Sequence, residues 1–533
     1  MYQSERHNIH HWWYNTFKAY LRLVHETLMV RHRYTVGAEN IPEYGDHFFI
    51  TSNHQNTAND PLNIVFALPL RWHVCAMARA NVFEVHPLIT RFLHYIGLLP
   101  AYRFGWEGGE GLEHNFHSFD LVAARINGTA GPTLGDQISE NVTTAATTPA
   151  PKGEGQGGAK GPSFPVIVFP EAGHTQGHWL DPFTTGTVRM AFHAAKAAGW
   201  QHDIKLLPTA HHYADYFDVR ADFMWMVAPP ISLQPYYAAY QEHPNSTMRT
   251  VTRQLRETIH SMMLDEGADD YDVKDFLRLS AFNPIAGNTS APAVPLSEIE
   301  SPRIKPPRPT PPRIYAYTRR QQWLYANLRD AVPLPERLAA DKRFIDRLCS
   351  HDRYADIIRL GRQLMTAEQH YSITDLDIAC PWSPLVIIGW AVVLIALLPL
   401  WIISLWPHAI CYSVPPLLLK TDKMFRNSYR YILSVLVLYP LAAIITITAG
   451  IIMSITAETG ITIAGGITVS YWLMAVVWVA LWLPLGIFCH WHYQHQRRLW
   501  RAIRALRALR DNSITQLRQQ LQQMLQTCHV LSE

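Results

Sequence analysis

The sequence predicts an α/β domain followed by an α-helical membrane domain, and two observations support that prediction. In the first half of the 533 residues, short apolar runs that end in turn or polar residues alternate with longer stretches of helical periodicity, a pattern typical of an α/β fold. In the second half, residues 431–457 and 459–489 contain no Asp, Glu, Lys or Arg. Each of these two stretches is longer than the ~20 apolar residues that cross a bilayer.

Charge and cysteine content argue against two other classes of protein. Lys and Arg number 46 against 43 Asp and Glu, so the chain has no nucleic-acid-binding signature and any basic surface must be local. The six cysteines are scattered without a CxxC pair, which is typical of reduced thiols in a protein that faces the cytosol. The first fifteen residues lack an apolar core after basic residues, so we do not expect a cleaved secretory signal.

The first predicted element, at residues 1–31, is an amphipathic helix that lies on the membrane interface or packs against the α/β domain. A helix is also predicted over 187–199, where Gly199 closes it. Short apolar runs predict strands at 47–51, 165–170, 204–208 and 223–228. These elements place the α/β domain at residues 32–282.

Two stretches of biased composition divide the polar part of the chain. Residues 127–163 are rich in Gly, Ala, Thr and Pro and poor in large apolar side chains, so we expect a mobile surface insertion. Residues 283–313 are dense in proline and predict a stiff, partly extended linker. A helical segment is expected at 314–380.

The membrane domain is predicted over residues 381–490, and basic amphipathic helices are predicted at 491–533. Residues 431–457 and 459–489 are expected to span the bilayer. A third apolar run, 384–406, is either spanning or re-entrant.

The positions of the basic residues favour the re-entrant alternative. If 384–406 also crossed, the basic loop 407–430 would lie across the membrane from the α/β domain, against the preference of positive residues for the cytoplasm. We therefore expect 384–406 to dip into the membrane and return, interrupted at Pro399. The two spanning stretches would then form a hairpin that turns at 458–460.

A cluster of hydrogen-bonding side chains follows the first apolar strand, in the segment "SNHQNTANDPL" (52–62). Asp60 followed by Pro61 has the form of a helix N-cap with proline at the first helical position. His54 then lies in the strand-to-helix loop, at the carboxyl edge where open α/β sheets commonly carry their chemistry. His54 and Asp60 can meet only if the loop between them folds back. Alone, the segment is equally consistent with a helix cap and an ordinary loop histidine.

Four blocks in order resemble the glycerolipid acyltransferase family, which acylates glycerol 3-phosphate or lysophospholipids. "SNHQNTAND" (52–60) is similar to the family's Asn-His-x4-Asp motif, and "RANVFEVHPLITRFLHYIGLLPAYR" (79–103) to its second block. "VIVFPEAGHT" (166–175) resembles the Phe-Pro-Glu-Gly block, and "LLPTAHHYAD" (206–215) the last strand. The resemblance covers about residues 32–260 and implies an α/β acyltransferase domain with a mixed sheet flanked by helices.

The resemblance implies a role for several residues. His54 would be the general base, because an imidazole titrates near neutral pH, and Asp60 would orient it. Five residues separate His54 from Asp60, one more than in the commoner pattern, so either Asp60 or Asn59 could face the histidine. Asn53 belongs to the same motif and is expected to contact substrate.

The remaining matched residues would bind the acceptor. Arg103 is expected to contact a phosphate in a bidentate manner, with Arg79 as the second candidate. Glu171 would orient the acceptor hydroxyls. The third block reads Glu-Ala-Gly in place of Glu-Gly, so Gly173 would take over the close backbone approach to the phosphate that Ala172 hinders.

The implied reaction needs no cofactor and no metal. The co-substrate would be an acyl-CoA or acyl carrier protein thioester, and the acceptor a glycerophospholipid precursor. The expected location is the membrane, with the acyltransferase domain on its cytoplasmic face and the bilayer as a partner.

Three alternatives remain open. The acceptor could be another lysolipid or an amino-acid lipid, or the chain could be an inactive membrane scaffold of the same fold. His174 and His178, four residues apart, could bind a metal, although the chain has no His-Glu-x-x-His motif.

Overall fold

The computed structural model describes residues 2–84, 86–101, 110–129, 163–173, 177–282, 326–419, 425–456, 460–463 and 467–530. The predicted linker 283–313 lies outside these residues. The predicted insertion 127–163 also does, apart from 127–129 and Ser163.

A mixed eight-stranded sheet forms the centre of the α/β domain, as the sequence predicts. Its strands are β1 (Val30–Val36), β2 (Phe48–Ser52), β3 (Cys75–Arg79), β4 (Leu98–Ala101), β5 (Val166–Val168), β6 (Lys205–Tyr213), β7 (Ala221–Val227) and β8 (Ile231–Ser232). The order is β1-β7-β6-β2-β5-β3-β4, and β8 pairs with β6. The strands β6, β2, β5, β3 and β4 run parallel, so their carboxyl ends share one edge.

Helices cover both faces of this sheet. They are α1 (Tyr2–Val24), α2 (Asn59–Ala67), α3 (Pro87–Tyr95), α4 (Glu110–Ile126), α5 (Gly186–Ala197), α6 (Tyr237–Glu242), α7 (Pro244–Met262) and α8 (Tyr271–Leu279). Phe48 and Ile50 of β2 pack with Ile64 of α2, whereas Phe49 belongs to the core on the opposite face with Phe192 of α5. Burial on both faces explains why β2 is a continuous apolar run rather than an alternating one.

The core of the α/β domain continues past residue 282. The next helices are α9 (Leu334–Cys349), α10 (Tyr354–Tyr371) and α11 (Asp375–Ala379), and their apolar side chains belong to the same hydrophobic cluster as the sheet. The last two helices join it through residues such as Ala505 and Leu521. The described chain is interrupted after residue 282, but the hydrophobic core of the α/β domain continues into the helices that follow.

The C-terminal apolar region contains seven helices and a small hairpin among the described residues. They are α12 (Pro384–Ala396), α13 (Leu398–Leu419), α14 (Arg426–Leu433), α15 (Tyr439–Thr456), the strands β9 (Ile461–Ile463) and β10 (Ile467–Val469), α16 (Tyr471–Ala480), α17 (Trp482–Ala508) and α18 (Asn512–Thr527). A π-helical turn at Ser434–Leu438 joins α14 to α15 into one continuous helix.

One helix, Arg426–Thr456, is long and apolar enough to cross a membrane. Two pairs, Pro384–Ala396 with Leu398–Leu417 and Tyr471–Ala480 with Trp482–Ala508, pass the same test only if each bent pair is counted as one span. Their bends are 61° and 57°. The α15 and α16 helices pack closely, because a Cβ added at Gly450 would lie 2.7 Å from the Cβ of Ala475.

The helices and strands in this region do not coincide with the predicted stretches. The stretch 459–489 is not one helix, since it contains β9 (Ile461–Ile463) and β10 (Ile467–Val469) and its first helix begins at Tyr471. The first bend lies at Leu397, so Pro399 stands in the first turn of α13 instead of interrupting a helix. The helix α17 runs through the boundary predicted at 490, because its apolar first half and basic second half share one continuous backbone.

Candidate active site

The loop that follows β2 folds back on itself, as the pairing of His54 with Asp60 requires. Thr57 adopts a left-handed conformation with φ of 46°, which reverses the chain before α2. The helix begins at Asn59, so Asp60 lies in its first turn and is not the N-cap that the sequence predicts. The reason is that the Asp60 carboxylate bonds to amides in the preceding loop rather than to the next turn of helix.

The imidazole of His54 is held by two contacts. Its Nδ1 lies 2.8 Å from Oδ2 of Asp60, and its ring stacks on Phe169 with a centroid distance of 4.1 Å. Asn59 instead donates to Oδ1 of Asn56 at 3.3 Å. The structure therefore pairs His54 with Asp60 and not with Asn59.

Asp60 is fully buried and accepts four hydrogen bonds. Oδ2 accepts from His54 and from the backbone amides of Gln55 and Asn56, at 2.7 and 2.8 Å for the two amides. Oδ1 accepts from the hydroxyl of Tyr213 at 2.5 Å. Burial alone would raise the pKa of Asp60, but the hydrogen bond to His54 and the nearby histidine charges keep that pKa below its ordinary value. The carboxylate thus stays ionised and fixes the proton of the neutral imidazole on Nδ1, which leaves the basic lone pair on Nε2.

Asn53 holds the loop against β6. Its Oδ1 accepts from the backbone amide of His211 at 2.7 Å, and its Nδ2 donates to the His211 carbonyl at 3.3 Å. The side chain is fully buried. The structure therefore shows Asn53 in a structural contact with β6, and its contact with substrate stays a prediction.

Glu171 connects the loops that follow β2 and β5. Its Oε1 accepts from the backbone amide of His54 at 2.7 Å, and its Oε2 from that of Asp181 at 3.0 Å. Burial raises the pKa of Glu171 to about 8, although both amides oppose that effect. Glu171 thus holds the backbone of His54 in place.

The described residues of the third block leave the backbone at Gly173 uncrowded, and its approach to a phosphate stays a prediction. Ala172, not Gly173, adopts the left-handed conformation, with φ of 53°. A Cβ added at Gly173 would make only an ordinary contact, 3.8 Å from the Glu171 carbonyl oxygen. Within the described chain, no close contact thus requires glycine at position 173. The backbone there is open to a ligand.

Of the two arginines predicted to contact a phosphate, only Arg79 is among the described residues. Arg79 is the last residue of β3, is exposed, and lies on the sheet edge that carries His54, separated from β2 by β5. Arg103 lies outside the described residues, as does His174.

Three residues that support the site were missed by sequence reasoning. Tyr213 bonds to Asp60, and Asn63 donates to the Tyr213 hydroxyl at 3.0 Å. Arg33 in turn donates to Oδ1 and to the carbonyl of Asn63, both at 2.9 Å. The available signal for Tyr213 was the alternation of the polar side chains Thr209, His211 and Tyr213 along β6.

A nearby positive charge argues against a metal ion at His178. His178, Glu266 and Asp275 bring possible ligand atoms within 4.8 Å of one another. The buried guanidinium of Arg278 already bonds to both carboxylates. A cation there would have to displace or repel that arginine, so the cluster acts as a buried salt-bridge network.

A cavity of about 630 Å³ lies between the α/β domain and α17, away from His54. Its lining is charged, and many of those charges are paired across it, as in Arg497 with Asp218 at 3.2 Å and Arg501 with Asp377 at 3.0 Å. His54, Asp60 and Glu171 do not line it. The cavity is therefore separate from the predicted site residues at the sheet edge.

The fold and site together define an α/β domain with an oriented histidine at the carboxyl edge of its sheet, joined to helices of which at least one is able to cross a membrane. No protein-family model and no curated protein matches the chain. Among solved structures, the chain is similar to the 1-acyl-sn-glycerophosphate (LPA) acyltransferase PlsC from Thermotoga maritima, with 11% identity and a TM-score of 0.23. That match covers 43% of this chain and 72% of the other.

Proposed function

We propose that the chain is a membrane-bound O-acyltransferase. It moves a fatty acyl group from acyl-CoA or an acyl carrier protein thioester to a hydroxyl of glycerol 3-phosphate or 1-acylglycerol 3-phosphate. The observation that supports this most strongly is the His54–Asp60 pair, with Nδ1 2.8 Å from a carboxylate that three further donors hold in place. The four motif blocks supply the substrate class.

The proton path follows from the tautomer. With Nδ1 bonded to Asp60, Nε2 of His54 removes the proton from the acceptor hydroxyl as that oxygen attacks the thioester carbonyl. The C–S bond then breaks, and the imidazolium returns the proton to the leaving thiolate. The buried Asp60 carboxylate stabilises the imidazolium between these steps, so no covalent acyl-enzyme is needed.

Binding of the acceptor is assigned to the same sheet edge. Arg103 and Arg79 would neutralise the phosphate, since arginine offers two parallel donors to it. The open backbone at Gly173 would lie against the same group. Glu171 would act on the acceptor hydroxyls through the His54 backbone that it holds.

The assay is acyl transfer by the full chain in vesicles, with radiolabelled glycerol 3-phosphate or lysophosphatidate and each of the two donors. We expect one acceptor to be labelled and His54→Ala to lower kcat by about 10²–10⁴. The matched control is His193→Ala, because His193 forms a 2.7 Å pair with Asp120 on the outside of the domain. Equal loss in both variants, or full activity of His54→Ala, would refute the proposal.

A further inference from the structure

The first turns of the helix that can cross the membrane dock on the candidate active site. Asn427, Ser428 and Tyr431 are buried and lie on one face of α14. Asn427 Nδ2 donates to the carbonyl of Tyr216 at 3.0 Å, in the connection after β6. The hydroxyl of Tyr431 donates to the carbonyl of Leu21 in α1 at 2.7 Å. This face of α14 therefore packs on the α/β domain through specific polar contacts.

Ser428 reaches the catalytic loop itself. Its hydroxyl hydrogen bonds to that of Thr57, the residue whose left-handed backbone reverses the loop. It also donates to the carbonyl of Asn56 at 3.4 Å, and the amide of Asn56 binds Asp60. Only two bonded contacts thus separate Ser428 from the carboxylate that orients His54.

The length of the helix places this contact at the membrane surface. The 31 residues from Arg426 to Thr456 extend about 46 Å at about 1.5 Å per residue, whereas the hydrocarbon core is about 30 Å thick. About ten residues therefore lie outside the core. The polar start of the helix, with Asn427, Ser428 and Arg430, is the part suited to the headgroup region.

We propose that Ser428 is a positioning residue for the His54–Asp60 pair, so that the membrane helix completes the catalytic loop. The inference rests on the proposed acyl transfer. Without the Ser428 hydroxyl, Thr57 and the Asn56 carbonyl lose their partner from outside the domain, and the strained loop relaxes. Small displacements of a general base lower the rate strongly, since proton transfer depends on close geometry.

The test compares two buried serines of the same helix. Ser428→Ala should lower kcat about 10-fold and change KM by less than about twofold, since the contact aligns the base and does not bind substrate. The matched control is Ser434→Ala, because the Ser434 hydroxyl donates to the Cys411 carbonyl of α13 at 3.1 Å and does not bond to the catalytic loop. It should leave kcat within about twofold of native. Equal kcat in the two variants overturns the inference.

The same contact can be tested from the domain side, which covers the case in which Ser428→Ala does not insert. Thr57→Ala should reproduce the loss in kcat, whereas Thr57→Ser, which keeps the hydroxyl, should be close to native. Thr57→Ala and Ser428→Ala should not be additive, because they break the same hydrogen bond. Additive losses would show that the two hydroxyls act separately and would overturn the inference.

Hydrogen exchange separates this inference from the proposed function. The amides of Gln55 and Asn56 bond to Asp60, so they should exchange faster in Ser428→Ala than in Ser434→Ala. If His54→Ala remains active, the proposed acyl transfer fails, whatever the exchange rates. If His54→Ala is inactive and the exchange rates of the two serine variants agree, only the positioning role fails.

Discussion

Asp60→Asn is the sharpest test of the site, because the substitution removes a charge and almost no volume. The position of Oδ2 is surrounded by three donors, from His54, Gln55 and Asn56. The introduced asparagine must therefore place its carbonyl oxygen there and turn its amide nitrogen toward Tyr213. The Tyr213 hydroxyl can rotate to accept, so the fold should persist while the imidazolium loses its counter-charge.

The size of the effect follows from the distance between the charges. Two unit charges about 4 Å apart interact by about 4 kcal/mol at an effective dielectric constant of about 20. The amide oxygen of the introduced asparagine still accepts from Nδ1, which retains part of this interaction. We therefore expect kcat to fall by about 10²–10³, less than in His54→Ala.

The measurement is acyl transfer at saturating acceptor, with stability followed by thermal unfolding. Asn59→Ala should lower kcat far less, because Asn59 bonds only weakly to Asn56 at 3.3 Å. Asp341→Asn is the matched control for a buried aspartate. Asp341 accepts from Arg278 and Arg329, so its loss should lower stability and leave kcat per folded molecule unchanged. The pairing of His54 with Asp60 would be refuted if Asn59→Ala lowered kcat as much as His54→Ala does while Asp60→Ala left kcat unchanged.

Four further predictions follow from the same structure. Tyr213→Phe removes a hydrogen bond to a buried carboxylate and should cost about 1.5–3 kcal/mol in unfolding free energy and lower kcat about 10-fold, measured by thermal unfolding and acyl transfer. Glu171 has a pKa raised to about 8, so its contribution to stability is full below its ordinary pKa of about 4.3 and is lost by the time pH has risen through about 8. Glu171→Gln should therefore flatten the change in melting temperature between about pH 4.5 and 8. Arg103→Ala should raise KM about 10- to 100-fold for a phosphate-bearing acceptor and leave a phosphate-free alcohol unaffected. In sealed vesicles, single cysteines at Lys423 and Ser513 should be labelled from the same face as a probe in the α/β domain, and one at Thr468 from the opposite face; any other pattern contradicts the hairpin.

The local parts of the site could be predicted from sequence, whereas the long-range parts could not. The His54–Asp60 pair lies within one short loop, so a motif of fixed spacing can encode it. Tyr213 reaches Asp60 across 153 residues of chain, and no spacing rule connects them. The alternation of Thr209, His211 and Tyr213 along β6 indicated one polar face, but only the pairing of β6 with β2 shows what that face contacts.

The missed strands have a related explanation. The β1 strand reads VRHRYTV and is mostly half-buried at the sheet edge, so its apolar signal is weak. Its parallel backbone pairing with β7 gives it strand structure, and Arg31 adds a 2.6 Å salt bridge to Asp222 of β7. Tertiary contact overrides weak propensity there. The strands found from sequence are the ones buried on both faces, such as β2.

Counting apolar residues left open whether 384–406 spans a membrane or re-enters it. Side-chain contacts bear on that question. Ile378 belongs to the core of the α/β domain, Ser428 touches the catalytic loop, and Ala505 belongs to the core again. A chain that starts and ends on the same side of a membrane crosses it an even number of times. If 384–417 crossed once, Ser428 could not reach Asn56. If the helix Arg426–Thr456 crosses a membrane, the chain therefore needs one return crossing, which the bent pair Tyr471–Ala480 and Trp482–Ala508 would supply.

The path of α12 and α13 is consistent with an even number of crossings. Leu394 of α12 accepts from His492 at 3.1 Å, just over one turn before the basic run of α17 that begins at Arg497. Basic residues of this kind are expected outside the bilayer core. Trp406 then contacts Thr446 at 3.2 Å, His408 contacts Tyr439 at 2.9 Å, and Tyr412 accepts from Arg430 at 3.1 Å. Successive residues after Trp406 thus meet earlier and earlier positions of the neighbouring helix, so the chain descends to Trp406 and climbs back. The turning point coincides with the non-helical backbone of Trp406 before Pro407, where a helix would lose its hydrogen bonds in any case. If this segment enters a bilayer, the contacts of Trp406, His408 and Tyr412 satisfy polar groups there, as a re-entrant element requires.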